Sequence, residues 1–347
     1  MKAPLYIHAC EMLTPIGLNR ATSAAAQSAG ISNFQASTYL NSAELPVFMA
    51  LAPESALPEP DQFLELLAEL SPWEYHLLRL AHLPLVAAWP QNHTKVLPVF
   101  LILPELHPRG SAGVPPEFFR LLAQQTQLPL CTEHSQLLPY GRAGLGPALD
   151  EALRILQQGT APYVLVGGVD SYQQERLLSN LDADGRLATP DGPSDSFIPA
   201  EGAAWLCLSL APSEAAVALS DWSLGEEPGH LYSQAPYTGE SLAKACQQLA
   251  SGLPESIRRL YSSANGERYW AKELGVMMTR VFTNLPKPLQ HVHPADCWGD
   301  LGAASGPALI ALAVSHFEKN PSAFPTLISC ASDQGLRALA VLETLKV

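Results

Sequence analysis

Apolar residues along this chain fall into two alternating kinds of run. Short runs rich in β-branched and aliphatic side chains, at Leu5–Cys10, Val96–Leu103, Leu128–Thr132, Tyr163–Val169 and Ala203–Leu210, predict strands. Ala21–Ala29, Asp61–Leu70, Trp73–Leu83, Pro116–Gln125 and Gly144–Gln158 instead carry the spacing of helices, and Gly159 stands where a helix C-cap belongs. The rest of residues 40–116 is Pro-rich and reads as irregular. Residues 211–215 read as a junction, after which the pattern restarts. Val217–Trp222, Ile257–Ser262, Thr326–Cys330 and Leu336–Leu342 predict strands, and Leu242–Leu249, Tyr269–Phe282 and Leu301–Phe317 predict helices. Such alternation predicts an α/β protein with a largely parallel sheet. The same order of elements on both sides of residue 213 predicts two similar halves, 1–212 and 213–347.

Composition narrows the partners. Of 347 residues, 47% are hydrophobic and 15% charged, which predicts a packed core rather than a disordered chain. Asp and Glu number 33 against 20 Lys and Arg, a net charge of -13, which disfavours nucleic acid and anionic membrane surfaces. No apolar run reaches the ~20 residues of a membrane span. The first residues, broken by His8 and Glu11, read as a strand and not a signal peptide. Cys10, Cys131, Cys207, Cys246, Cys297 and Cys330 are scattered without a CxxC pair, which predicts reduced thiols in the cytoplasm.

Four stretches narrow the fold. They are Met12-Leu13-Thr14-Pro15-Ile16-Gly17 with Ala24 to Ile31; Glu151 to Leu156 with Gly159 and Val164 to Ser171; Asp195 to Ala204; and Leu301 to Gly306. In this order the chain resembles the β-ketoacyl synthases of the thiolase-fold superfamily, while residues 32–127 resemble little in them. The resemblance implies two pseudo-repeated α/β halves stacked in α-β-α-β-α layers. It also implies a Cys thiolate at the start of the nucleophile helix and two catalytic histidines. Counting back without gaps from Arg154 puts the nucleophile position at Arg142. The family's first histidine position matches Asn265 in Ala264-Asn265-Gly266, and the second matches Gly299 in Trp298-Gly299-Asp300. A guanidinium is no nucleophile, and neither Asn nor Gly replaces an imidazole. The resemblance therefore implies a pseudoenzyme with no catalytic residues and no cofactor. Arg142, Asn265, Gly299 and Cys330 then mark a remnant ligand or partner pocket. Related thiolases place a proton-shuttling Cys near Cys330; with no nucleophile opposite, it reads as a structural thiol.

Arg142 precedes a helix whose N-terminus favours anions, so a bound anion is one reading. A plug paired with Glu133, Asp150 or Glu201 is the preferred one. His291, His293, Asp296 and Cys297 are candidate metal ligands, the two histidines on one side of an extended segment. No second cluster completes the set a zinc site needs, so no metal is expected. Gly167-Gly168 lacks dinucleotide spacing and reads as close packing at a strand end. Asp182-Ala183-Asp184-Gly185 lacks the acidic residue that closes a calcium loop and reads as a turn.

Three functional readings follow. Gly141 to Gly144, Val166 to Tyr172 and Phe197 to Gly202 resemble thiolase-like proteins encoded beside type VI secretion effectors, which implies a non-catalytic accessory acting on a protein partner. The second reading is a chain-length-factor-like subunit paired with a ketosynthase, with an acyl carrier protein as a further candidate partner. The third is an acyltransferase with chemistry rerouted through Cys330 or the His291/His293 pair. The resemblance further implies a homodimer through the edge strand Leu128–Thr132, because an unpaired apolar edge is an aggregation hazard.

Overall fold

The structure, a computed structural model, describes residues 2–59, 70–212, 217–249, 257–282 and 289–344. Ten of its strands form one sheet: β1 (Leu5–Leu13), β4 (Leu97–Ile102), β5 (Leu130–Leu138), β6 (Val164–Ser171), β7 (Glu201–Ser209), β8 (Val217–Glu226), β9 (Arg259–Ser262), β10 (Gln290–Val292), β11 (Thr326–Ala331) and β12 (Leu336–Thr344). β2 (Gln35–Leu40) and β3 (Pro46–Met49) pair separately. The described helices are α1 (Arg20–Ser28), α2 (Pro72–Ala88), α3 (Phe118–Thr126), α4 (Leu145–Gln157), α5 (Glu175–Ala183), α6 (Glu240–Gln248), α7 (Arg268–Val281), the single turn α8 (Ala295–Trp298) and α9 (Ser305–Lys319).

The order across the sheet is β10-β9-β11-β12-β8-β1-β7-β6-β4-β5. Among the described residues β8 and β1 meet through Leu5–Leu219 and Tyr6–Ala218 alone, so the sheet is two five-stranded groups joined at their first strands. Within each group the order and strand directions repeat: first, last, fourth, second, third. The expected largely parallel sheet is corrected to a mixed one. β4 runs parallel to β5 and β6, and β9 to β10 and β11. β1, β7, β8 and β12 pair antiparallel with their neighbours; between β11 and β12 a short turn returns the chain directly.

Helices supply the other layers. α4 touches β4, β5 and β6 on one side and β8 and β12 on the other; α9 touches β1, β6 and β7, and also β9 and β11. Both are sandwiched between the strand groups. Every residue from Ser305 to Ser315 is accordingly buried, as an all-round apolar helix requires. α2 covers the outer face of β1, β6 and β7, and α6 that of β8 and β12. The result is the α-β-α-β-α arrangement.

Differences from the sequence reading are local. The β2–β3 hairpin leads into the Pro-rich stretch, and α5 follows β6, both where no element is predicted. α2 runs to Ala88 through Pro84, begun by a capping box of Ser71 and Glu74. The helix expected at Asp61–Leu70 and most of the junction at 211–215 lie outside the described residues. Gly167 and Gly168 lie in the middle of β6, not at its end. A Cβ on Gly167 would stand 2.1 Å from the Trp205 ring, and one on Gly168 2.2 Å from the Ala303 carbonyl oxygen. Ala303 opens the buried helix α9, so Gly168 sets how closely β6 meets that helix start. Replacing it, Gly168→Ala, pits backbone against a new methyl and is expected to destabilise the fold by roughly 1–3 kcal/mol. A urea midpoint equal to that of the parent would contradict this.

Candidate functional site

Arg142 lies in the 3-10 turn Gly141–Gly144 that opens α4, with only 3% of its surface exposed. A guanidinium stays charged, so its burial demands carboxylates. Two supply it from distant parts of the chain. Arg142 Nη1 donates to Asp300 Oδ2 at 2.5 Å, and Nη2 pairs with Asp333. Nε donates to the Ala331 carbonyl at 2.9 Å, and the guanidinium lies 5.0 Å from the centre of the Trp270 ring.

Asp300 is the hub. Besides Arg142, its Oδ2 accepts from Asn265 Nδ2 at 2.9 Å, and its Oδ1 accepts from the Gly302 N–H at 2.8 Å. That N–H belongs to the 3-10 turn Gly302–Ala304 leading into α9; the next, on Ala303, donates to Asp170 Oδ2 at 2.8 Å. The two acids thus satisfy backbone donors that an unaided helix start leaves open. Asn265 also donates to Glu267 Oε2 at 3.0 Å. Glu267 in turn holds Arg186 through both oxygens, at 2.7 and 2.8 Å. Arg186 reaches Asp333 Oδ2 and the Tyr232 hydroxyl, each at 2.7 Å. Two guanidiniums and three carboxylates therefore form one continuous network.

Three of the four residues singled out from the sequence come together in it. Arg142 and Asn265 share Asp300, and Gly299 precedes Asp300 in the chain. Gly299 has φ +76 and ψ -163, a conformation essentially reserved for glycine, and a Cβ there would stand 2.8 Å from the Ile198 carbonyl oxygen. Any side chain at this position would be strained by the backbone and crowded by that carbonyl. Cys330 precedes the Ala331 carbonyl that Arg142 uses. Burial pushes its thiol up to about 12, which leaves it protonated at neutral pH.

The expected partners of Arg142 are corrected. Glu133 is exposed on β5. Asp150, eight residues beyond Arg142 and ~12 Å along the helical path, binds Lys2 and the Trp222 indole, each at 2.8 Å. Glu201 is occupied by His76 at 2.9 Å, by Ser171 and Gln173 at 2.8 Å each and by the Ala52 N–H at 3.0 Å. Asp300 stood in a quoted motif, directly beside Gly299, and Asp333 lies three residues after Cys330. The need of a buried cation for acids was the signal that could have found them. Arg186 had no such signal, because its turn gave no reason to expect burial.

The histidine cluster forms no metal site among the described residues. His291 Nε2 lies 2.7 Å from Ser262 Oγ, and His293 is shared between Asp296 and the Ala264 carbonyl. Asp182 to Gly185 close α5, with Gly185 at φ +67, as a turn. The six cysteines are unpaired, and no described helix is long and apolar enough to cross a membrane.

No family model and no curated protein sequence matches the chain. Solved structures do. It superposes on the ketosynthase from module 6 of the bacillaene synthase of Bacillus subtilis 168 with a TM-score of 0.78 at 13% identity, over 99% of this chain and 72% of that one. An oxazolomycin ketosynthase domain from Streptomyces albus JA3453 gives 0.73 at 13%, over 99% and 75%. The ishigamide ketosynthase/chain length factor gives 0.76 at 14%, over all of both chains.

The chain has the ketosynthase fold.

A small space beside Arg142, Asp170, Tyr172 and Asp333 measures about 40 Å³. That admits a few water molecules and no acyl chain. Its acids titrate in opposite directions. Burial alone would raise the Asp333 carboxyl, but Arg186 and Arg142 hold it well below the usual range. Burial pushes Asp170 up to about 7, outweighing the Ala303 N–H. Asp170 in the folded chain thus keeps a proton that the unfolded chain releases near pH ~4. Its contribution to stability falls as pH rises from ~4 to about 7. Asp170→Asn, which mimics the protonated acid, is therefore expected to gain stability relative to the parent between pH 5 and pH 8. Melting curves across that range whose difference does not vary with pH would refute this.

Proposed function

We propose that this ketosynthase-fold protein is non-catalytic and acts by binding other proteins. One observation carries the reading. The position that the resemblance assigns to a nucleophilic thiol holds Arg142, locked by Asp300, Asp333 and the Ala331 carbonyl. Asn265 and Gly299, at the positions of the two imidazoles, serve the same network as a hydrogen-bond donor and as a backbone turn. Acyl transfer through Cys330 is disfavoured by the same geometry, since the thiol is buried and protonated. Removing Arg142 would not free a reactive site; it would leave the buried Asp300 without a cation and Asp333 with Arg186 alone, at ~3–5 kcal/mol. Incubation with acyl-CoA or acyl carrier protein donors should yield no covalent adduct by intact mass spectrometry. A stoichiometric acyl adduct on any cysteine would overturn the non-catalytic role.

A second reading, a non-catalytic subunit beside an active ketosynthase, is supported by the end-to-end likeness to a structure described as a ketosynthase/chain length factor. Co-purification separates the two: a ketosynthase favours the subunit, and a secretion effector with its adaptor favours the accessory role beside type VI secretion.

Self-association belongs to the same proposal. β5 is the last strand at one end of the sheet, paired only with β4, and runs Leu130–Leu138 rather than Leu128–Thr132. Two-fold pairing is the commonest way to cover such an edge. Light scattering at micromolar concentration should give the mass of two chains, and a single-chain mass unchanged on concentrating would reject the dimer.

A further inference from the structure

A groove of about 550 Å³ opens at the mouth of the buried network, walled by Leu106, Pro139, Tyr140, Pro147 and Leu336, with Glu226 on its rim. We propose that this groove receives a segment of another protein, placing an arginine or lysine beside Glu226 and an apolar side chain against Tyr140 and Leu106. The proposal rests on the non-catalytic binding role above and locates it on the surface.

Leu106 and Tyr140 are 50% and 45% exposed, large apolar side chains left in water within one concave patch. Contiguous exposed apolar groups of this kind mark interaction sites. Both are held by their backbones. The Tyr140 N–H donates to the Leu138 carbonyl at 2.8 Å, and its carbonyl accepts from Ser332 Oγ at 2.5 Å. The Leu106 carbonyl accepts from Gln334 Nε2. Groups fixed before binding lose little freedom on binding, and a rigid tyrosine is a favoured anchor.

The charges choose the occupant. Among the described residues, Glu105 and Glu226 are the only carboxylic acids on the lining, which carries no Lys or Arg. Both Glu105 oxygens are taken, by the Asp333 N–H at 2.5 Å and the Gln334 N–H at 3.2 Å. Glu226 is exposed and has no cation partner among the described residues. A basic side chain on the incoming segment would complement it. The net charge of -13 attracts such a segment and opposes a second copy of this chain at the same place.

Random twelve-residue peptides displayed on phage and panned against the full chain test this. Enriched peptides should carry Arg or Lys next to Leu, Phe or Pro. A synthetic peptide from that set should bind about tenfold or more weakly to Tyr140→Ala and to Glu226→Lys, followed by fluorescence anisotropy. Both substitutions lie on the surface, and unchanged melting temperatures confirm that the variants are folded. No enrichment, peptides without basic residues, undiminished binding to both variants, or a second copy cross-linked through Tyr140 would each overturn the proposal. The mass measurement keeps the two readings apart. An acyl adduct removes the non-catalytic role and leaves the groove standing, whereas absent peptide binding without an adduct removes the groove alone.

Discussion

A guanidinium that cannot lose its charge sits at the centre of this molecule, and much of the surrounding geometry answers to it. Desolvating such an ion costs several kcal/mol even after relaxation, and only well-placed acids offset that. Asp300 and Asp333 do so from segments 158 and 191 residues away in sequence. Because Asp300 also closes the first turn into α9, the Arg142–Asp300 pair ties the starts of the two central helices together. Those helices carry both strand groups, so one ion pair joins the halves of the fold where they meet.

The second guanidinium follows from the first. Asp333 is shared by Arg142 and Arg186, and Glu267 balances Arg186 while bonding Asn265. Trp270 lies between Arg142 and a third buried guanidinium, Arg337, at 5.0 and 5.3 Å from its ring centre. Arg337 has its own acid, Glu273, at 2.8 Å. Polar networks this well connected make an interior specific and rigid, and leave little space for a reacting ligand. At the rim of the network Tyr140, Leu106 and Glu226 face solvent.

What the sequence by itself determined is whatever depends on neighbours in the chain. Apolar periodicity placed β1 and α4, and continuous apolar runs placed β4, β6, β7 and α9, because the burial of an element is written in its own residues. The in-order motifs pointed to the ketosynthase fold and brought Arg142, Asn265 and Gly299 into view. The β2–β3 hairpin and α5 escaped: β2 alternates weakly and is largely exposed, and α5 buries only Leu178 and Leu181.

Tertiary structure alone decided which acids meet Arg142. Asp150 and Glu201 were plausible by proximity or motif, yet one faces Lys2 and Trp222 down the helix and the other is held by His76, Ser171, Gln173 and the Ala52 N–H. Charge carries no period, so nothing in the order of residues says which carboxylate a buried cation will find. Strand direction was settled at the same level, since only the assembled sheet shows that β7 and β12 return antiparallel beside β6 and β11. The physical reason is common to both: local patterns record which face of an element is buried, and the fold decides what that face is buried against.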